Sequence, residues 1–116
     1  MKKTIFHLAS LDDSDKLQQT GSYSTASLET EGFIHCCTGD QLPGVIQRYY
    51  IDATKLMLLH IDTKLLSAQL VYESTVGGAE AFPHIYGEIN ATAVFDTMII
   101  DTSGLAQIAA SEGYRP

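Results

Sequence analysis

The sequence predicts a single α+β domain with about five or six strands and two or three short helices. A chain of 116 residues has the length of one domain, and its hydrophobic content of 45% is enough to form a buried core. Short apolar runs rich in β-branched and aromatic residues recur along the chain, as is typical of strands. Regular helical segments do not separate these runs, so a doubly wound parallel sheet is not expected.

The first two elements are a buried strand and a short helix. Residues 4–9 (TIFHLA) are almost entirely apolar and predict the strand. Residues 13–20 predict the helix, with Leu17 as its apolar anchor and Gly21 as its C-terminal stop.

A loop and a second strand are expected next. Residues 21–30 lack a regular pattern and predict a loop that is anchored by Tyr23 and Leu28. Residues 33–37 (FIHCC) are apolar on both faces, which favours a strand in the interior of a sheet.

A second helix follows this strand. Thr38 and Gln41 match a capping box, whereas Pro43 is best tolerated in a first helical turn that begins after Asp40. The two starts exclude each other, and the position of the proline favours Asp40 as the cap. A helical apolar stripe runs through Leu42, Val45, Ile46 and Tyr49.

The second half of the chain is mostly strands. These are predicted at residues 55–62, 69–74 and 91–100. Residues 75–83 contain two adjacent glycines and predict a loop, and residues 83–87 (PHIYG) predict a tight corner into the last strand. Ser103 is placed to cap a short C-terminal helix.

Charge and composition exclude several classes of partner. The formal net charge is −7, and the seven basic residues are scattered, so neither nucleic acid nor an anionic membrane is an expected partner. The N-terminal apolar run is too short for a signal peptide, and no run approaches the roughly 18 residues of a membrane span. We therefore expect a cytoplasmic monomer or small homo-oligomer.

The two cysteines are neighbours, Cys36 and Cys37. Successive side chains on a strand point to opposite faces, so a disulfide between them is not expected. Cys37 shares a face with His35 and precedes a helix, which makes it a candidate nucleophile. A free cysteine is more often a buried packing residue, and this is the interpretation that we prefer for Cys37.

Three of the four histidines lie in apolar sequence: His7, His35 and His84. A buried imidazole needs partners for its ring nitrogens, so each one alone is most simply a satisfied core residue. Three in similar contexts favour convergence on one pocket. A three-histidine metal site is the alternative, although the adjacent Cys36 and Cys37 have poor spacing for zinc.

Two further segments contribute candidates to such a pocket. Glu73 ends a strand, where it is either solvated or able to orient an imidazole or a ligand hydroxyl. Phe82 and Tyr86 would form the apolar wall of a slot, with His84 as its polar tip.

Taken in order, five segments resemble the bacterial family called domain of unknown function 952. They are IFHLAS, GSYSTASLETEGFIHCCTGDQL, LMLLHIDTKLL, LVYES and FPHIYGEI. The resemblance extends over residues 5–101. It departs from the usual pattern at Cys37, where serine is common, and at Glu88, where proline commonly follows FPHIYG; a required thiol at Cys37 is therefore not expected.

The resemblance implies a fold and a chemistry. The family is grouped with the ADP-ribosyltransferase-like superfamily, whose members split NAD in a cleft between two small sheets. By this resemblance the catalytic residues would be His7, His35 and Glu73. His7 would hydrogen-bond the ribose or carboxamide end of NAD, His35 would help to place the ribose or pyrophosphate, and Glu73 would hold the ribose hydroxyl. Tyr86 would stack on nicotinamide. The remaining predicted ligand contacts are His84, Thr38 and Tyr23, with Thr38 at a helix start whose amides would hold a pyrophosphate.

The resemblance therefore implies a domain that binds NAD or a related nucleotide as a substrate, without a tightly bound cofactor, and that transfers ADP-ribose. A non-catalytic module that binds small ligands is the second hypothesis, and a histidine-based metal protein is the third. Neither composition nor spacing decides among them, because all three use the same histidines.

Overall fold

A computed structural model describes residues 3–49, 55–74 and 80–101 of the chain. The strands of the described residues are β1 (Thr4–Ala9), β2 (Ser22–Tyr23), β3 (Ile34–His35), β4 (Lys55–Asp62), β5 (Gln69–Glu73), β6 (Phe82–Tyr86), β7 (Ile89–Asn90) and β8 (Val94–Asp101). The helices are α1 (Leu11–Thr20), α2 (Ala26–Thr30) and α3 (Leu42–Tyr49), with two short 3₁₀ helices at Thr63–Leu65 and Ala91–Ala93. This is the expected α+β class, but the strands form three sheets rather than the two that the resemblance implied.

The first sheet has the order β1-β4-β8 and is antiparallel throughout. Its strands β1 and β4 match the predicted ranges. Each is buried on both faces, so its sequence is a mostly apolar run whose ends are easy to locate. On β1, Ile5 and Ala9 join one core cluster, whereas Phe6 and Leu8 join the other. The first sheet therefore lies between two cores.

Helix α1 begins two residues earlier than predicted. The hydroxyl of Ser10 accepts a hydrogen bond from the backbone N–H of Asp13 at 3.0 Å, which makes Ser10 the N-cap. Leu17 is buried as expected, and Gly21 ends the helix in the left-handed conformation with its N–H bonded to the carbonyl of Leu17.

The prediction of a loop over residues 21–30 was wrong. Strand β2 pairs with β7, whose partner residues lie far away in the sequence, and helix α2 has only five residues. Such short elements carry too few residues to show a period, so tertiary pairing forms them rather than local pattern. Tyr23 is buried and Leu28 is partly buried, so both act as the expected anchors.

The third sheet has the order β3-β6-β5, and its middle strand was predicted to be a corner. Pro83 lies within β6. Its carbonyl accepts a hydrogen bond from the N–H of Cys36 at 3.0 Å, and the hydrogen bond that a backbone N–H of residue 83 would donate is not made. The chain then leaves the third sheet, and Cys37 exchanges two backbone hydrogen bonds of 2.8 Å with Phe6 of β1.

Strand β3 is therefore shorter than predicted, and the expected interior position holds only in part. It forms one edge of the third sheet, yet Cys37, two residues after its end, pairs with the first sheet. The turn after β6 is close-packed, since a Cβ on Gly87 would lie 2.8 Å from the Cβ of Ala68.

Helix α3 begins at Leu42, one residue later than a cap at Asp40 would give. The competing pair also forms, since the Gln41 side chain accepts the backbone N–H of Thr38 at 3.0 Å. The preferred start after Asp40 is therefore wrong by one residue, and Thr38 and Gln41 close a turn immediately before the helix rather than its first turn. Leu42 and Ile46 are fully buried on the predicted stripe.

The last strand, predicted at residues 91–100, begins three residues later than predicted. Residues 89–90 form β7, a 3₁₀ turn follows, and β8 begins at residue 94. The predicted helix at Ser103 and most of the predicted loop at 75–83 lie outside the described residues. Within the described part, no helix has the length and apolar character that crossing a membrane requires.

Candidate functional site

One surface of the third sheet collects most of the predicted site residues. His35 pairs with His84 across β3 and β6, and Glu73 pairs with Phe82 across β5 and β6. Because side chains alternate along a strand, these residues and Tyr86 point to the same side of the sheet. We call the surface formed by Phe33, His35, Glu73, His84 and Tyr86 the histidine face.

Glu73 is the hydrogen-bonding centre of the histidine face. Its Oε1 atom accepts a hydrogen bond from Nδ1 of His84 at 3.0 Å and another from the hydroxyl of Tyr86. The Tyr86 bond, followed by the His84 bond, lowers the pKa of Glu73, and the same carboxylate raises the pKa of Tyr86. The carboxylate is therefore ionised at neutral pH, while its side chain stays 33% exposed.

His84 is enclosed beside that carboxylate. It is only 1% exposed, and its ring is stacked on Phe33 with 4.1 Å between the ring centroids. The ring of His35 meets it edge-on at 5.3 Å. Since a carboxylate only accepts hydrogen bonds, Nδ1 of His84 carries a hydrogen.

His35 is the accessible member of the histidine face. Its side chain is 51% exposed, and Nε2 lies 3.0 Å from Oε2 of Glu31, which is four residues earlier and equally exposed. Phe33 contacts the His35 ring edge-on at 4.9 Å. A ligand that approaches this surface therefore meets His35, Tyr86 and the Glu73 carboxylate.

His7 does not join the histidine face, and the prediction of one shared cleft is wrong for it. Its Nδ1 atom donates to the backbone carbonyl of His35 at 2.6 Å, and its Nε2 atom accepts the hydroxyl of Tyr23 at 2.8 Å. Both ring nitrogens are thus used inside the fold. Burial lowers the pKa of His7 to about 4, which keeps the ring neutral.

Tyr23 belongs to the wall of a separate surface groove of about 320 Å³. The groove is lined by Asp13, Lys16, Thr20, Ser22, Tyr23, Ser24 and Glu88. Tyr23 therefore donates a hydrogen bond to His7 and lines this groove. The sequence had predicted it as a ligand contact together with His84 and Tyr86.

Thr38 was expected to present a free helix amide, but its N–H is bonded to Gln41. The N–H of Gln41 bonds back to the Thr38 carbonyl at 3.1 Å, and that of Leu42 bonds to the Gly39 carbonyl. These amides are used within the chain, which weakens the expectation that they hold a pyrophosphate.

The cysteines are packing residues, as preferred. Both are buried free thiols, and burial raises the pKa of Cys37 to about 12 and that of Cys36 well above its ordinary value. The nearby helix does not offset this desolvation. No group of three or more His, Cys, Asp or Glu side chains in the described residues is arranged to hold a metal ion, so the three-histidine alternative gains no support.

Sequence reasoning missed Phe33 and Glu31. Phe33 lies two residues before His35, a spacing that puts both side chains on one side of an extended chain. That alternation was the available signal for Phe33. Glu31 precedes the strand in a turn, where no period could have indicated its contact with His35.

Comparison with known proteins places the chain within a described group. A family model described as "Protein of unknown function (DUF952)" matches residues 8–97. The crystal structure of protein CC0527 from Caulobacter crescentus is 25% identical, with a TM-score of 0.76, 85% of this chain covered and 87% of that chain. Its solution NMR structure is 24% identical with a TM-score of 0.76, covering 92% of this chain and 94% of that chain. No curated protein matches the chain.

Proposed function

The chain belongs to the DUF952 family of proteins of unknown function, and from that premise we propose that its histidine face binds NAD or a related nucleotide through the nicotinamide ribose. The observation that carries the proposal is the ionised Glu73 carboxylate, fixed by two donors beside exposed aromatic surface. An anionic, aromatic surface suits a cationic aromatic ring.

The charge of the ligand agrees with the charge of the protein. The nicotinamide ring of NAD is cationic, whereas its pyrophosphate is anionic. A chain with a net charge of −7, whose Thr38, Gln41 and Leu42 amides are bonded internally, is better suited to the nicotinamide end. Tyr86 is 40% exposed and offers a ring for stacking.

The finer proposal is that the chain transfers ADP-ribose. Loss of nicotinamide from NAD leaves positive charge on the ribose, in an oxocarbenium-like state. The Glu73 carboxylate would stabilise that charge because it is already ionised and held in place before the reaction. The half-exposed His35 would help to position the ribose.

NMR titration of isotope-labelled protein tests the binding. NAD and nicotinamide riboside, which has the cationic ring without the pyrophosphate, should both shift the signals of Phe33, His35 and Tyr86. NADH, whose nicotinamide ring is neutral, should shift them less. His60, on strand β4 of the first sheet, serves as an internal reference that stays unchanged. Spectra that do not change at millimolar NAD would refute the proposal.

Non-catalytic binding is the second candidate. The internal hydrogen bonds of the Thr38 and Leu42 amides favour it, because they leave the N-terminal region of α3 less able to hold a pyrophosphate. This candidate predicts the same spectral changes with NAD, without release of nicotinamide during prolonged incubation. Release above the uncatalysed rate would exclude it.

A further inference from the structure

His84 has one ring nitrogen without a partner. Nδ1 is bonded to Glu73, but Nε2 makes no hydrogen bond within the described ranges 3–49, 55–74 and 80–101. The enclosed polar side-chain atoms without a partner in these ranges are Ser14 Oγ and His60 Nε2. Nε2 of His84 is not among them, and the residue as a whole is 1% exposed.

The surroundings of His84 fix both its direction and its tautomer. Phe33 covers one side of the ring at a centroid distance of 4.1 Å and an interplanar angle of 17°, and Glu73 anchors Nδ1. Because the Glu73 carboxylate only accepts, the neutral ring carries its hydrogen on Nδ1 and presents a bare lone pair at Nε2. Tyr86 bonds the same oxygen and holds the carboxylate in turn.

We infer that Nε2 of His84 is the proton acceptor of the histidine face, and that Glu73 is its positioning residue. The inference rests on the proposed function and assigns the base of that reaction. His7, which the resemblance implied as a catalytic contact to NAD, cannot accept this proton, because both of its ring nitrogens are bonded within the fold. A carboxylate that holds one ring nitrogen of a histidine orients the other ring nitrogen toward a hydroxyl group, from which it can accept a proton.

The reaction step balances with water or an alcohol as the acceptor. The acceptor oxygen forms a bond to C1′ of the ribose while the bond between C1′ and the nicotinamide nitrogen breaks. The electron pair of that bond leaves with nicotinamide, which becomes neutral. The hydroxyl proton of the acceptor passes to Nε2 of His84, and the positive charge of NAD thus ends on the imidazolium beside Glu73.

The tautomer is the first measurement, and it needs no ligand. Two-bond ¹H–¹⁵N spectra of the wild-type protein at neutral pH should show His84 with hydrogen on Nδ1 and a bare Nε2. Glu73→Ala should yield a mixture of the two tautomers, since the anchor of Nδ1 is gone. A wild-type ring with hydrogen on Nε2 would overturn the inference whatever the protein binds.

The second measurement separates the base from binding. The amide of asparagine occupies the place of Nδ1 in histidine, so His84→Asn keeps a donor for Glu73 and removes Nε2. We expect nicotinamide release from NAD to fall by about 10²-fold or more, while NAD still shifts the Tyr86 signals. His60→Asn is the matched control and should keep the wild-type rate.

The outcomes distinguish the two proposals. If NAD shifts the spectrum but His84→Asn releases nicotinamide at the wild-type rate, or wild type releases none, binding stands and the base assignment fails. If NAD causes no shift, the proposed function fails and the base assignment fails with it.

Discussion

The neutral, buried His7 should make the stability of the protein depend on pH in the mildly acidic range. Its Nδ1 atom donates to the carbonyl of His35, and its Nε2 atom accepts the hydroxyl of Tyr23. Protonation would put a hydrogen on Nε2, where that hydroxyl now donates, and would place a charge in the core. The unfolded chain has neither cost, so acid favours unfolding.

The size and the window follow from the pKa of His7, which burial lowers from 6.5 to about 4 in the folded protein. Above pH 6.5 the ring is neutral in both states, and its full contribution is present. As the pH falls from 6.5 to 4, only the unfolded state takes up the proton, and stability decreases. At 1.36 kcal/mol for each pKa unit, the free energy of unfolding should decrease by about 3 kcal/mol in total.

Urea unfolding across this window measures the effect in wild type and in His7→Asn. Asparagine has a donor in the position of Nδ1, so it can keep the bond to His35 while it removes the titrating ring. At neutral pH the variant should be less stable by about 1–3 kcal/mol, since the Tyr23 hydroxyl loses its acceptor. Its acid decline should be shallower by about 3 kcal/mol. Parallel declines in the two proteins would refute the reasoning.

Three further predictions concern other parts of the fold. Tyr23→Phe should lower the free energy of unfolding by about 1–3 kcal/mol, because Nε2 of His7 becomes an unpaired buried acceptor; urea unfolding at neutral pH that matches wild type would contradict this. The thiol of Cys37 should react with a disulfide reagent only after denaturation, because its raised pKa of about 12 lowers the thiolate fraction about a thousandfold; rapid labelling of the native protein would show otherwise. Tyr86→Phe should raise the pKa of Glu73 toward its ordinary range, because the bond that lowers it most is lost; an unchanged ¹³C carboxyl titration would exclude that cause.

The sequence predicted best those elements whose burial is the same along their whole length. Strands β1 and β4 were placed at their observed ends because every position except the exposed Lys55 faces a core or its margin. The short strands β2 and β7 were missed because two residues cannot show a period, and their pairing depends on contacts between distant segments.

The error at Pro83 has a different origin. Proline is usually excluded from the middle strand of a sheet, so a corner was the reasonable expectation. The structure accommodates it at the point where β3 leaves β6 for β1, where the ladder bond that needs its N–H is not made. Only the position of β1, distant in sequence, reveals this.

The site was predictable in its members but not in their connections. His35, Glu73, His84 and Tyr86 were each named from the short segment around them, and the sheet register brings them together on one face. The direction of His7 was not predictable, because either face of β1 is apolar and both lead into a core. The Nε2 atom of His7 is bonded to Tyr23 instead of facing the histidine face, and Tyr23 lies on the two-residue strand β2.

The position of β1, between β4 and the segment that follows β3, also determines when the chain can fold. Thr4 pairs with Asp62, Phe6 pairs with Cys37, and β4 in turn needs β8 at the far end of the described chain. Contacts between such distant residues close large loops before they gain stability, and they slow folding. During synthesis the first strand leaves the ribosome without a partner, and it must wait, apolar on both faces, until most of the chain has followed. The segment that joins the two larger sheets is therefore exposed to aggregation until its partners at Cys37 and β4 have been made.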